Sequence, residues 1–164
     1  SPVNVNDVIT TSQGNPVPGY QEGVWTATPS MDTINSGANV CTFMRVGNMV
    51  TITGNLRSWD NTTSTEEIKI TGVPYTRGAS SAFAIGSARV ARLNFGNNTG
   101  DGVTSCLLSD NVLKIGINKT GETALYATYN LWVTANKAQT QFAFTLTYQT
   151  DDTTWQPING ATVS

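Results

Sequence analysis

Apolar and polar residues alternate with a period of two along several segments of the chain. The clearest segment, residues 141–149, places four apolar side chains on one face: Phe142, Phe144, Leu146 and Tyr148. Successive side chains of a strand point to opposite faces of a sheet, so this pattern predicts a strand with one buried face. Similar alternation occurs at residues 50–56, 67–70 and 113–117. Gly54 falls in the inward set of the first of these, and we expect a bulge or a close approach there.

Turn signals separate the alternating segments at short intervals. Gly47 and Asn48 predict a two-residue hairpin loop, because both residue types tolerate positive φ angles, and residues 109–111 predict another. Residues 96–102 are rich in Gly and Asn and predict a longer loop. No segment carries the continuous apolar stripe of an amphipathic helix. Many short strands about ten residues apart predict an all-β, antiparallel β-sandwich with short hairpin loops and essentially no helix.

The pattern divides the chain into three parts. Residues 1–22 contain three prolines and little alternation, so we expect an extended linker or arm. Residues 23–150 carry the alternating segments and form the predicted sandwich. Residues 151–164 lose the alternation and are expected to be a C-terminal tail lying over the surface. The chain has no starting Met and no signal-peptide profile at its beginning, so we expect it to be a fragment of a larger protein.

Composition narrows the classes of partner. Only 12% of the 164 residues are charged, and the net charge is −2 with nine basic residues scattered along the chain. Nucleic acid requires a basic stripe against its phosphates, and an anionic membrane surface requires a basic cluster, so both partners are disfavoured. No stretch approaches the roughly 18 apolar residues that span a bilayer. We therefore expect neither nucleic-acid binding nor membrane insertion.

The chain contains no histidine, which removes the commonest general base and most zinc sites. Glycoside hydrolysis needs two carboxyl groups about 5 to 9 Å apart that face one substrate. The adjacent pairs Glu66-Glu67 and Asp151-Asp152 do not meet this requirement on a strand, where neighbours point to opposite faces. These residues predict a chain that is not an enzyme and that uses no metal and no cofactor.

Two cysteines, Cys41 and Cys106, allow at most one disulfide. Each cysteine lies in a segment with a strand-like pattern, so the geometry allows a disulfide between two sheets. We expect two buried thiols that act as small apolar side chains instead, because disulfide-dependent folds use more than one bridge.

Sugar binding needs an aromatic platform with polar side chains beside it. Two segments have this composition, and their candidate residues are Trp59, Asp60, Asn61 and Arg57 in the first and Tyr75 and Arg77 in the second. For each segment the alternative is an aromatic residue that covers the edge of the core.

Tyr126, Tyr129 and Trp132 are predicted to lie on one long strand, with Tyr129 on the face opposite the other two. The preferred interpretation is that one face packs the core and the other a subunit interface, because interfaces are enriched in Tyr and Trp. Trp25 is expected in the core.

Four segments, in this order, resemble parts of the C-terminal β-sandwich domain of tailed-phage tailspike and tail fibre proteins. They are GVWTAT at 23–28, FMRVGNMVTITG at 43–54, ITGVPY at 70–75 and the closing strand at 142–148. Each motif alone is a strand-and-turn pattern that occurs in many β proteins. The resemblance depends on the four segments occurring together in this order. Ala27, Phe43 and Tyr75 depart from the usual Pro, Tyr and Phe of this family but keep the apolar character.

The resemblance implies a jelly-roll-like sandwich that assembles as a homotrimer at the distal end of a phage particle, made in the bacterial cytoplasm. Such domains stabilise the trimer, and some bind host surface polysaccharide, while catalysis usually resides in a preceding β-helix. Residues 1–22 would then descend from an upstream shaft. Two alternatives stay open: a polysaccharide-degrading lyase or glycosidase fragment, with non-adjacent carboxylates such as Asp60 and Asp110, and a capsid or lectin-type sandwich unrelated to phage tails.

Overall fold

The computed structural model describes residues 9–10, 16–17, 19–34, 39–79, 83–94, 102–119 and 123–164. In this part the chain forms thirteen strands and two single-turn 3-10 helices, Tyr129–Leu131 and Lys137–Gln139, and no α-helix. The strands are β1 (Ile9–Thr10), β2 (Pro16–Val17), β3 (Tyr20–Val24), β4 (Thr28–Pro29), β5 (Asn39–Val46), β6 (Met49–Arg57), β7 (Ile70–Thr71), β8 (Ala84–Ala91), β9 (Gly102–Ser109), β10 (Val112–Lys119), β11 (Leu125–Tyr126), β12 (Gln141–Gln149) and β13 (Thr162–Val163). Most of the predicted arm and of the predicted loop at 96–102 lies outside the described residues.

All strands except β1 and β2, which pair with each other, belong to one antiparallel sheet in the order β13-β3-β5-β6-β12-β8-β9-β10-β7-β4, with β11 beside β10. The sheet curls into a half-barrel, and its concave face holds the core. The predicted all-β, antiparallel, sandwich-like fold is confirmed. The last long strand, β12, lies in the middle between β6 and β8, so its pairing joins segments about 90 residues apart in the chain.

Alternation along β12 decides which side chains enter the core. Phe142, Leu146 and Tyr148 are buried as predicted, and Phe144 lies over Gly54 of β6. A Cβ atom on Gly54 would lie 2.4 Å from Cζ of Phe144, so the glycine serves a close approach. The register of β6 with β12 continues through Gly54 without a bulge.

Both predicted hairpins are present. β5 and β6 are joined by Gly47 and Asn48, with Gly47 at a φ of 58°, and Val46 pairs directly with Met49. β9 and β10 are joined by Asp110 and Asn111, whose φ angles of 49° and 64° are those of a type I′ turn.

The sheet extends past both predicted limits of the sandwich. β3 already begins at Tyr20 and pairs with β5 over its whole length. At the other end, residues 151–164 finish as β13, which pairs with β3. On the way the tail donates the Ile158 N–H to the carbonyl of Pro74 at 2.8 Å. The tail is therefore hydrogen-bonded both to β3 and to the segment that follows β7.

The two cysteines are free and buried, as expected. Cys41 lies on β5 and Cys106 on β9, four strand spacings or roughly 19 Å apart along the sheet. Burial raises the pKa of Cys41 to about 11 and that of Cys106 to about 12, so both thiols stay protonated at neutral pH.

Candidate functional site

The two predicted sugar-binding segments lie at opposite ends of β12. The Trp59 N–H donates to Oγ1 of Thr140, which precedes the strand, at 2.8 Å. The hydroxyl of Tyr148, near the other end, donates to the carbonyl of Tyr75 at 2.8 Å. Eight residues of strand separate these anchors, which corresponds to roughly 26 Å. The structure therefore does not bring the two segments together into one site.

Trp59 is fully buried, so its prediction as a sugar platform is wrong. Its indole stacks on Trp132 with the ring centroids 5.1 Å apart and lies 6.2 Å from the ring of Tyr129. We call these three residues the aromatic plug. Ser58, at a φ of 62°, turns the chain directly before Trp59, and the side chain enters the core rather than the surface.

The predicted long strand through Tyr126, Tyr129 and Trp132 is also wrong. β11 ends at Tyr126, and a 3-10 helix begins at Tyr129. The helical turn places Tyr129 and Trp132 on the same side, where both are buried against Trp59 and are not available to a neighbouring subunit. Tyr126 is 41% exposed and remains an interface candidate.

Asp60 and Asn61 of the first segment line a cleft of about 530 Å³. The cleft residues are Ser30, Met31, Asp32, Thr33, Asp60 and Asn61. Oδ2 of Asp32 accepts the N–H groups of Asp60 at 3.1 Å and Asn61 at 2.9 Å, which holds the two loops together. The side chain of Asp60 is exposed, and Arg57 is exposed at the end of β6. Sequence reasoning missed Asp32 because it is 28 residues away from Asp60 in an unpatterned stretch.

Tyr75, the aromatic member of the second segment, is buried, so its prediction as a sugar platform is wrong as well. Its hydroxyl donates to Oε1 of Gln21, and its ring lies under the guanidinium of Arg45 at 4.6 Å from the centroid. Arg77 is partly buried, and its guanidinium lies 3.8 Å from Oδ1 of Asp110.

Arg45 is the centre of a cluster that sequence reasoning did not find. Its guanidinium lies between the rings of Tyr75 and Trp155, 3.9 Å from the latter, and pairs with Oδ1 of Asp152 at 3.2 Å. We call Arg45, Tyr75, Asp152 and Trp155 the arginine clamp. The four residues come from three segments that are distant in sequence, so no local motif indicates the cluster.

Electrostatics agree with the geometry of the clamp. Partial burial by itself raises the pKa of Asp152, but hydrogen bonds from Thr154 and Arg45 and from the backbone of Trp155 outweigh it and hold the pKa below its usual range. Asp152 is therefore ionised at neutral pH and compensates the buried charge of Arg45.

The other carboxylates considered from the sequence do not converge. Asp60 and Asp110 lie at opposite ends of the sheet, so this non-adjacent pair does not face one substrate. Oδ2 of Asp151 accepts the N–H of Ala79, and Glu67 pairs with Lys114 at 3.1 Å. Within the described residues no group of three metal-ligating side chains occurs, and no helix is long and apolar enough to cross a membrane.

A shallow apolar groove runs along the convex face of β8 to β11 and was not predicted. Its walls and floor are formed by Phe83, Ile85, Leu107, Leu125, Tyr126, Ser105 and Gly116, among others, and it encloses about 180 Å³. Ile85 is 62% exposed and Phe83 51% exposed, while the small residues Ala84 and Gly86 point inward. The signal in the sequence is that the large apolar residues at 83 and 85 alternate with small residues rather than with polar ones.

Comparisons with protein-family models, with curated proteins and with solved structures find no match.

Proposed function

We propose that this chain is a non-catalytic assembly and receptor-facing domain of the phage tailspike or tail fibre type. In this proposal it forms a homotrimer at the distal end of the virion and presents polar loops to host surface polysaccharide. The ordered motifs at 23–28, 43–54 and 70–75 support the family. The convex face of the sheet supports the assembly.

The observation that carries the proposal is the uncovered apolar groove on β8 to β11. Phe83 and Tyr126 expose about half of rings that each span 150–250 Å², and Ile85 and Leu125 add to them. The apolar area that the described residues leave uncovered is roughly 300–400 Å², the size of the largest patches on typical monomers, which are often functional. Self-association would remove this area from water.

The polar cleft around Asp32, Asp60 and Asn61 is the surface that best suits a sugar. It offers carboxylate, amide and hydroxyl groups at the loop end of the molecule but no exposed aromatic ring, so each contact would be weak. Three copies in one trimer would strengthen such binding through multivalency.

The first test is the mass in solution by light scattering during size-exclusion chromatography. The expected result is three times the 17.5 kDa mass of the chain, stable on dilution. A monomer at low micromolar concentration would overturn the assembly proposal.

Glycan recognition needs a separate test. Wild type is screened against bacterial surface polysaccharides, and Asp60→Ala is then compared with Glu66→Ala, which changes another exposed carboxylate outside the cleft. The proposal expects Asp60→Ala alone to weaken retention at unchanged melting temperature. Equal retention by all three proteins would exclude the cleft as the binding site.

A further inference from the structure

Two exposed arginines lie on the convex face on either side of β12. Arg57 of β6 pairs directly with Gln141 of β12, and Arg89 of β8 pairs directly with Ala143. Direct partners on neighbouring strands lie on the same face of a sheet, and Phe142, between Gln141 and Ala143, is buried on the other face. Two strand spacings and an offset of two residues place the Cα atoms of the arginines roughly 12 Å apart. Their long side chains can therefore both reach one group bound above β12.

Neither guanidinium has a partner in the described part of the chain. Arg57 and Arg89 are exposed, and they form no hydrogen bond or ion pair with a side chain or backbone group that the structure describes. By contrast, the guanidinium groups of Arg45, Arg77 and Arg92 each contact a carboxylate or an amide oxygen. The two arginines beside β12 are thus available to an external anion.

The strands around these arginines carry no carboxylate. β5, β6, β8 and β12 contain no Asp and no Glu, although the chain has 11 acidic residues and a net charge of −2. The convex face of these four strands is therefore positively charged in a chain of negative net charge. An anion bound between the arginines meets two cations and no repelling side chain on these strands.

The groups between the arginines are suited to a carboxylate and to hydroxyl groups. A guanidinium presents its N–H donors in a planar fork that matches the two oxygens of a carboxylate. The amide of Gln141 donates from Nε2 to Oδ1 of Asn55 at 2.9 Å, which leaves the other amide groups of this pair free to bind hydroxyls. Ala143, between Asn55 and Arg89, has only a methyl group and leaves space above β12.

Threonine side chains continue this polar surface along the same face. Thr53 of β6 pairs directly with Thr42 of β5 and with Thr145 of β12. The Oγ1 atoms of Thr42 and Thr53 are 2.6 Å apart, and those of Thr51 and Thr147 are 2.8 Å apart. In each pair one hydroxyl donates to the other, so one hydroxyl proton remains for a ligand.

A concave pocket lies at the far end of the threonine surface. It encloses about 440 Å³ and is lined by Glu22, Val24, Thr42, Met44, Thr51 and Thr53, among others. Val24 and Met44 offer apolar contacts to the carbon face of a sugar ring, and the threonines and Glu22 offer hydrogen bonds to its hydroxyls. Thr53 is four residues from Arg57 along β6, roughly 13 Å. The arginines and the pocket are thus placed to contact different sugar residues of one strand.

We infer that this surface binds an acidic polysaccharide in which uronic acids alternate with uncharged sugars. Arg57 and Arg89 hold the carboxylate of one residue, and the pocket beside Glu22 takes an uncharged residue of the same strand. The inference rests on the proposed polysaccharide binding and adds the class of sugar and a second surface. Arg89 lies four residues, roughly 13 Å, beyond Ile85 of the apolar groove, so assembly through the groove leaves the arginines accessible.

Hyaluronan oligosaccharides, which alternate a uronic acid with an uncharged sugar, test the inference. Isothermal titration calorimetry with the full chain should show binding that weakens as the salt concentration rises. The same oligosaccharides with methyl-esterified carboxyl groups are the matched ligand, because they keep the sugar rings and lose the charge. We expect them to bind at least about 10-fold more weakly, as for the loss of a hydrogen-bonded charge.

Four variants locate the site. Arg57→Gln and Arg89→Gln should each raise the dissociation constant for hyaluronan about 10-fold, and Thr53→Val, which removes a neutral hydroxyl from the pocket, about 5-fold. Arg92→Gln is the matched control, since it removes the same charge from an exposed arginine whose guanidinium donates to Gln139. It should change the dissociation constant by less than about twofold. Unchanged melting temperatures show that each variant is folded.

The outcomes separate the inference from the proposed function. Wild type that does not bind hyaluronan, or that binds the esterified form equally well, overturns the inference. Equal loss in Arg57→Gln, Arg89→Gln and Arg92→Gln overturns it too, because binding then follows net charge. Unchanged binding in Thr53→Val overturns the extension to the pocket. Loss in Asp60→Ala, with none in the arginine variants, overturns the inference but leaves the proposed cleft in place.

Discussion

The two ends of β12 are closed in opposite ways. Each end is followed or preceded by a buried threonine, Thr140 at one end and Thr150 at the other. Thr140 leads into the aromatic plug, since its Oγ1 accepts the Trp59 N–H. Thr150 leads into the arginine clamp, since its Oγ1 accepts the N–H of Asp152 at 3.2 Å. A buried threonine next to the strand thus contacts an apolar cluster at one end of β12 and a charged cluster at the other end.

The plug stabilises its end by removing three large rings from water. Burial of rings gives a free energy that depends on area and hardly on pH or salt. Its polar atoms are few: Nε1 of Trp59 donates to the Leu56 carbonyl at 3.3 Å, and the hydroxyl of Tyr129 accepts the Met31 N–H at 3.0 Å. Beside the plug, backbone hydrogen bonds join residues 64–68 to residues 127–130.

The clamp holds a charge that is almost completely removed from water. Arg45 is 2% exposed, and such a group is stable only when its donors and its charge are compensated. Asp152 supplies both the charge and the carbonyl that accepts from Arg45 at 2.5 Å. The difference teaches that the plug stabilises its end of the sheet by apolar burial, whereas the clamp adds an ion pair to the hydrogen bonds that hold the C-terminal tail on β3 and on the segment after β7.

The largest expected effect breaks the plug. Trp59→Ala removes a fully buried ring and should lower the free energy of unfolding by about 3–5 kcal/mol, measured by urea denaturation. Asp60→Ala, next in the chain but exposed, should change it by less than about 0.5 kcal/mol. A loss below about 1 kcal/mol in Trp59→Ala would contradict the buried position of the indole.

The next effect breaks the clamp. Arg45→Ala leaves Asp152 without its partner and removes the layer between Tyr75 and Trp155. We expect the free energy of unfolding to fall by about 2–4 kcal/mol. This is less than for a fully buried ion pair, because the side chain of Asp152 is 22% exposed. The rate of hydrogen exchange should rise selectively at residues 151–164. Arg45→Lys should recover only part of the lost stability, because an ammonium does not stack on aromatic rings as a guanidinium does. Uniform exchange across the sheet would show that the clamp does not act on the tail.

A change on β6, opposite the middle of β12, provides the reference for both ends. Gly54→Ala places a methyl group against Phe144 and should cost about 1–3 kcal/mol through overpacking. Because the strain lies midway, hydrogen exchange near the plug and near the clamp should rise together. Enhanced exchange at one end alone would indicate that the two ends are not coupled through the strand.

The smallest expected effect uses pH to separate the ends. The depressed pKa of Asp152 means that its contribution is fully present above the unfolded value of about 3.9 and is lost as pH falls through the native value. The stability difference between wild type and Asp152→Asn should therefore shrink as pH is lowered below about 4. The difference between wild type and Trp59→Phe should stay constant over the same range. A constant difference for Asp152→Asn would mean that its carboxylate is not coupled to Arg45.

Much of the sheet was predictable because the signals are local. Alternation at 141–149 and the turn residues at 47–48 and 110–111 follow from backbone geometry within a few residues, and each was found where it was predicted. The structure differed from the prediction wherever the burial of a side chain depended on residues distant in the sequence. Trp59 is covered by residues about 70 positions later in the chain, and Arg45 is compensated by a residue 107 positions away, so neither environment is visible in a short window.

The exposed apolar residues of the convex face were not predictable from the sequence either. Large and small apolar residues alternate at 83–87, a pattern that does not tell which face is covered. The structure turns Phe83 and Ile85 outward, and on the inner face Leu146 of β12 occupies the space next to Gly86. The sequence by itself determined the strand class and the tight hairpins, since these depend on backbone geometry, and left a bulge or a close approach open at Gly54. The tertiary structure alone decided which aromatic residues are in the core, which carboxylate pairs with the buried arginine and which apolar side chains stay exposed, because these depend on which segments the sheet order brings together.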